Sequence, residues 1–178
     1  MDIDGAEVAL RSLGFFAQRR DWSMGRTVFV TLPSMMSKTN GVSGARHAVF
    51  LRDALGGWWA VWSPDPFETV YRRFDDAVSY IRGNLEQHQM IDDLCDRGFH
   101  ARRHPGPGDW AIFVSLPGLR FDDGEGIHGW HKSLVLRKAP EAWLVHAERG
   151  LFSKDADEVP FSSFEAAVEF MRQKLAME

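Results

Sequence analysis

Hydrophobic and polar positions along this chain follow one pattern twice. Ala6, Ala9, Leu10 and Leu13 fall at helical spacing and stop at Gly14, and Met90, Ile91 and Leu94 do the same and stop at Gly98. Glycine just past a last turn suits the left-handed cap that ends helices. Alternating segments rich in β-branched and aromatic residues come next and predict strands. They cover Phe15–Arg20 and Thr27–Leu32 in the first half, and Phe99–His104 and Ala111–Leu116 in the second, with Pro33 and Pro117 closing each pair. Two more strands are expected per half, at Ala48–Arg52 and Trp58–Trp62, and at Ser133–Arg137 and Ala142–His146. Gly56-Gly57 marks a hairpin between the first two of these. A closing helix is expected at Asp75–Leu85 and again at Glu165–Leu175. The stripe Phe74, Ala77, Val78, Ile81, Leu85 recurs as Phe164, Ala167, Val168, Met171, Leu175 and should face a core. Ser162 and Glu165 have the spacing of a capping box.

Residue identities repeat with the pattern. Leu13-Gly14-Phe15 matches Arg97-Gly98-Phe99 and Val28-Phe29-Val30 matches Ile112-Phe113-Val114, both at an offset of 84. The closing helices match at an offset of 90. The period is too long for a solenoid and reads as a tandem duplication. The fold class expected is α+β, with residues 1–88 and 89–178 each an α-β-β-β-β-α unit joined through Glu86-Gln87-His88-Gln89. Each unit should hold an antiparallel four-stranded sheet with helices on one face. Units this small gain from a shared interface, so a pseudo-twofold body is expected. Ser34–Arg46 and Gly118–Trp130, rich in turn-forming residues, are expected as long irregular loops.

Strand alternation assigns the two faces of each sheet. The core face should carry Phe15, Ala17, Val28, Val30, Leu32, Val49, Leu51, Trp59 and Val61 in the first unit. In the second it should carry Phe99, Ala101, Ile112, Val114, Leu116, Leu134, Leu136, Trp143 and Val145. The opposite face mixes Phe16, Gln18, Arg20, Thr27, Phe29, Thr31, Phe50, Arg52, Trp58 and Trp62. Its counterpart mixes His100, Arg102, His104, Phe113, Ser115, Ser133, Val135, Arg137, Leu144 and His146. Aromatics interleaved with arginines make a platform for flat ligands, single-stranded bases included. The competing expectation is burial of this face between sheets or subunits, because a large exposed apolar patch is unusual in a monomer.

Charge narrows the partners. Net charge is −4; residues 1–88 balance at 10 basic and 10 acidic, and residues 89–178 hold 11 and 15. That is not the footprint of a duplex-DNA binder. One cysteine, Cys95, excludes an intrachain disulfide and is expected as a buried inert thiol. The acidic start Met1-Asp2-Ile3-Asp4 has no signal-peptide character and no apolar run reaches membrane-spanning length, so a cytoplasmic setting without membrane contact is expected.

Candidate chemistry concentrates in the second half, with His100, His104, His128, His131 and His146. His128 and His131 follow Asp122 and Asp123 closely, which makes these four the candidate metal ligands, at a spacing that matches no specific motif. No nucleophile elbow, P-loop or paired-cysteine motif is present, and no cofactor is expected. Trp130 ends a long loop, and exposed tryptophan is a frequent interface anchor.

The element order resembles, in topology alone, double-stranded RNA-binding domains and the ββββα repeats of Whirly and PUR-type single-strand binders. The closing helices start Phe74-Asp75-Asp76 and Phe164-Glu165-Ala166, acidic where the RNA-binding domains are basic. No residue motif supports any of these families. The function expected is a non-enzymatic protein-binding module, immunity-, inhibitor- or chaperone-like, recognising its partner through the long loops Ser34–Arg46 and Gly118–Trp130 and the mixed aromatic and arginine sheet face, with a homodimer also compatible. Its expected binding residues are Arg20, Arg52, Trp58, Trp62, His100, Arg102, Trp130, Arg137 and His146. A single-strand nucleic-acid binder using the same face is the alternative, and a small metal-dependent enzyme the third reading.

Overall fold

In the computed structural model, residues 1–22, 25–39, 42–63, 68–103, 111–117, 120–122, 128–130, 133–147 and 158–176 are described. The chain divides into two compact units, Met1–Gln89 and Met90–Glu178. The first opens with helix α1 (Ile3–Ser12), capped where Asp2 accepts a hydrogen bond from the Gly5 amide at 2.9 Å. Strands β1 (Phe16–Trp22) and β2 (Gly25–Thr31) follow, then a hairpin of β3 (Met36–Thr39) and β4 (Val42–Ala45). Next come β5 (Val49–Ala54), β6 (Trp58–Trp62) and β7 (Thr69–Tyr71). Helix α2 (Phe74–Asp96) crosses the division between the units. The second unit continues with β8 (His100–Arg103), β9 (Ala111–Ser115), the hairpin β10 (Arg120–Asp122) and β11 (His128–Trp130), β12 (Leu134–Lys138), β13 (Trp143–Ala147) and β14 (Val159–Phe161). Helix α3 (Phe164–Ala176) is the last element.

Among the described residues the protein is α+β, with three α-helices and two antiparallel five-stranded sheets. The first sheet runs β1-β2-β5-β6-β7 and the second β8-β9-β12-β13-β14. The four-stranded expectation is thus corrected. The fifth strands, β7 and β14, are only three residues long, too short for an alternating pattern to register. The two separate helices expected around residues 86–89 are one helix of 23 residues. Glu86-Gln87-His88-Gln89 contains no glycine or proline, so nothing there breaks the helix. The two loops expected to be irregular each contain a hairpin, β3–β4 and β10–β11. Ser163, not Ser162, caps α3, accepting from the Ala166 amide at 3.2 Å.

Registers correspond between the sheets. Ala17 pairs with Val30 as Ala101 pairs with Val114, Leu51 with Val61 as Leu136 with Val145, and Trp59 with Tyr71 as Trp143 with Phe161. Both opening helices end the same way. The Gly14 and Gly98 amides bond the carbonyls of Arg11 and Cys95, and the Phe15 and Phe99 amides those of Leu10 and Leu94. These closures need positive φ, found at 90° and 88°, and that is why glycine stands at both places.

The core faces are as alternation assigns them. In the first unit Phe15, Ala17, Val28, Val30, Val49, Leu51, Trp59 and Val61 are buried in one cluster with Ile3, Ala6 and Leu10 of α1 and Ala77, Ile81 and Leu85 of α2. In the second, Phe99, Ile112, Val114, Leu134, Leu136 and Val145 cluster with Leu94 of α2 and Met171 and Leu175 of α3. Cys95 is exposed, correcting its expected burial. Leu94 takes the inward position, and one residue further on the helix turns by about 100°.

Candidate functional site

On the outer face of the first sheet, antiparallel register places Gln18, Phe29, Phe50 and Trp62 opposite one another on consecutive strands. Phe16 joins them from β1. The rings meet edge to face or tilted: Phe16 and Phe29 at 6.3 Å, Phe29 and Phe50 at 5.7 Å, Phe50 and Trp62 at 5.4 Å. Such contacts contribute beyond plain burial. Phe16, Phe29 and Phe50 are half-buried, whereas Trp62 at the end of the row is 45% exposed. The polar neighbours are satisfied: Thr27 donates to the Arg20 carbonyl at 3.1 Å, and Thr31 donates to the carbonyl of His47.

Arginines surround this row. The Arg20 guanidinium lies 4.9 Å from the centre of the Phe29 ring, a cation–π distance. Arg52 donates through Nε and Nη2 to Glu68 Oε1 at 2.7 and 2.6 Å. Trp58 lies at the other end of β6 from Trp62, and Arg72 covers it at 4.8 Å. All four first-unit residues expected to bind, Arg20, Arg52, Trp58 and Trp62, therefore share one face.

No family model, curated protein or solved structure matches this chain.

The second sheet has the same scaffold and different chemistry. Arg102, Phe113, Val135 and His146 occupy the corresponding row. Arg102 lies 5.4 Å from the Phe113 ring centre. Phe113 and Val135 are buried, at 4% and 3% exposure, and form a small outer-face cluster with Ala111. Arg137 donates to both Glu158 oxygens at 2.8 and 2.9 Å, and His146 Nδ1 stands 3.7 Å from the same carboxylate. His100 is exposed on β8 opposite Ser115. The side chain of Trp130 is outside the described residues, although its backbone ends β11 opposite Arg120.

Of the metal candidates, the backbones of Asp122 and His128 stand opposite each other in the β10–β11 hairpin, while Asp123 and His131 lie outside the described residues. Among the described residues no three His, Cys, Asp or Glu side chains gather into a ligand set. Among them, too, no helix is long and apolar enough to cross a membrane.

Sequence reasoning found the arginines and missed their partners. Glu68 and Glu158 each precede an unforeseen fifth strand, 16 and 21 residues from the arginines they hold. A signal existed: the offset of 90 that relates the closing helices also relates Glu68 to Glu158 and Tyr71 to Phe161.

Proposed function

We propose that this is a non-enzymatic protein-binding module whose recognition surface is the outer face of the first sheet. One observation carries the reading. Arg52, at the middle of that face, is neutralised by Glu68, beside a row of aromatic rings that ends in exposed Trp62. Aromatic centres with a paired polar surround are the composition of protein interfaces. A phosphate-binding surface would instead keep its arginines uncommitted. The second unit repeats the neutralisation at Arg137 and Glu158. The matched registers support reading the units as two copies of one duplicated element, of which, among the described residues, the first presents the aromatic row. An immunity-, inhibitor- or chaperone-like role in a reducing, cytoplasmic setting accords with the size, the mild acidity and the single cysteine.

A single-strand nucleic-acid binder remains the second reading, favoured by the ring row and by Arg20 above Phe29. The discriminating experiment is cross-linking in native lysate with wild type and Trp62→Asp. A protein retained by the first and lost by the second is expected. Identical capture by both overturns the assignment of this face.

A further inference from the structure

We propose that the first unit holds its partner by strand addition: an extended segment of the partner protein pairs with the outer edge of β7, placing an apolar side chain beside Val70 and an acidic one on Arg72. This rests on the protein-binding reading above and names the form in which the partner is held.

Among the described residues, β7 is the last strand of its sheet. An edge strand presents a row of unpaired backbone groups that another chain can extend, and natural proteins blunt such edges where pairing is unwanted. The second sheet has this protection. Pro160, central in β14, pairs with Leu144 as Val70 pairs with Ala60, and proline has no amide hydrogen to donate. At the matched place β7 keeps an amide, under a valine side chain that is 46% exposed.

A further difference between the units falls at this edge. Arg72 and Arg73 follow β7 where Ser162 and Ser163 follow β14. Arg73 stands 3.4 Å from Asp75 and Arg52 is held by Glu68, whereas the Arg72 guanidinium lies over Trp58 and, among the described residues, pairs with no carboxylate. It offers the edge a positive charge that an acidic residue can meet without breaking an ion pair among the described residues. On the same outer face, Arg52, Asp53, Ala54, Leu55, Trp58 and Val70 line a pocket of about 580 Å³. Leu55 on its rim is 98% exposed. A strand laid beside β7 sends alternate side chains to this face. A residue opposite Val70 then meets the pocket, and one two positions away meets Arg72. The occupant these features fit is an extended segment with an apolar and an acidic residue spaced by two.

The test uses the full chain and the synthetic peptide Thr-Val-Thr-Leu-Thr-Asp-Thr-Val, with a control in which lysine replaces the aspartate. The acidic peptide should bind about tenfold more tightly than the control, a difference of about 1.4 kcal/mol, and should slow amide exchange at residues 69–71. Arg72→Glu, an exposed change that leaves the fold intact, should invert the preference between the peptides. Val70→Pro, which copies the residue already accommodated in β14, should abolish binding. Protection elsewhere than at 69–71, or no binding of either peptide at ~1 mM, overturns strand addition. Partner capture from lysate separates this from failure of the broader reading. If capture is lost in Trp62→Asp and kept in Val70→Pro, strand addition falls and protein binding stands. If capture ignores Trp62→Asp and no peptide binds, both fall.

Discussion

Arg82, on α2, donates to the main-chain carbonyl of Leu13 at 2.9 Å, just past the end of α1, and its guanidinium lies 4.7 Å from the Phe15 ring centre. The second unit repeats this in detail: Arg172 donates to the Arg97 carbonyl at 3.1 Å and lies 5.0 Å from the Phe99 ring. Carbonyls at a helix C-terminus lack intrahelical partners, and the helix dipole favours a cation there. One side chain thus ties a closing helix to the end of an opening helix and to the residue that leads into the next strand.

Removing this tie should cost each unit about 1 kcal/mol, the usual size of a solvent-exposed charged hydrogen bond with a cation–π contact. Arg82→Ala and Arg172→Ala should each lower the urea midpoint without changing the slope of the transition. Arg82→Met, which keeps the apolar stem over Phe15, should recover part of the loss. Midpoints indistinguishable from wild type would show that solvent screening cancels the contact.

The tryptophans Trp59 and Trp143 occupy equivalent places, packed on Phe74 at 5.1 Å and on Phe164 at 5.2 Å. Sequence equivalence predicts equal costs of truncation, but only Trp59 is fully buried, at 6% exposure, while Trp143 is half-buried. Trp59→Ala should destabilise by ~3–5 kcal/mol, and Trp143→Ala by less, about 2 kcal/mol. Chemical denaturation of the two variants ranks them, and a larger loss from Trp143 would contradict the packing.

The core faces were legible because burial on one side of a sheet imposes period two, and Val28, Val30, Val49 and Leu51 keep that period without exception. The closing helices were legible for the corresponding reason at period 3.6. Length set the limit elsewhere: Thr69–Tyr71 and Val159–Phe161 span too few residues for a period to show. The candidate site was half legible. Local composition flagged Arg52 and Trp62. Pairing of Arg52 with Glu68 depends on β7 lying beside β6, which no local pattern encodes.

Asn84 is where α2 departs from local rules. It is 3% exposed, and among the described residues neither amide atom has a hydrogen-bond partner. A buried unsatisfied amide costs about 1–3 kcal/mol, and asparagine is a poorer helix former than leucine. Asn84→Leu, which keeps the branched outline of the side chain and removes its polar atoms, should raise thermal stability, by about 1 kcal/mol. A lower melting temperature would mean that the amide is satisfied in solution.

Tyr71 carries the clearest pH signature. Burial pushes its phenol up to about 12, with the charge of neighbouring Tyr80 acting in the same direction and a hydrogen bond with Thr69 opposing it. The folded chain therefore holds this proton above the ordinary tyrosine value near 10. The stabilisation is complete below that value and is lost as pH rises toward 12. Partial exposure keeps the effect small. Tyr71→Phe, which installs the residue found at position 161, should flatten the fall in stability over this alkaline window. An unchanged slope in urea titrations across the window would assign the fall to other groups.

Affinity for single-stranded nucleic acid separates the two functional readings most sharply. Base stacking on Phe29, Phe50 and Trp62 would quench tryptophan fluorescence, and each phosphate neutralised by arginine would steepen the salt dependence. Arg52 and Arg137 are each bound to a carboxylate, so meeting a phosphate requires breaking an ion pair. The chain also carries net charge −4 and only five lysines, four of them beyond residue 130. A mixed-sequence oligonucleotide titrated at low salt should therefore produce neither quenching nor binding at micromolar concentration. Glu68→Gln together with Glu158→Gln releases both arginines and should raise nucleic-acid affinity above wild type. Micromolar binding by the wild-type chain, abolished by charge reversal at Arg52 and Arg137, would instead make nucleic acid the partner.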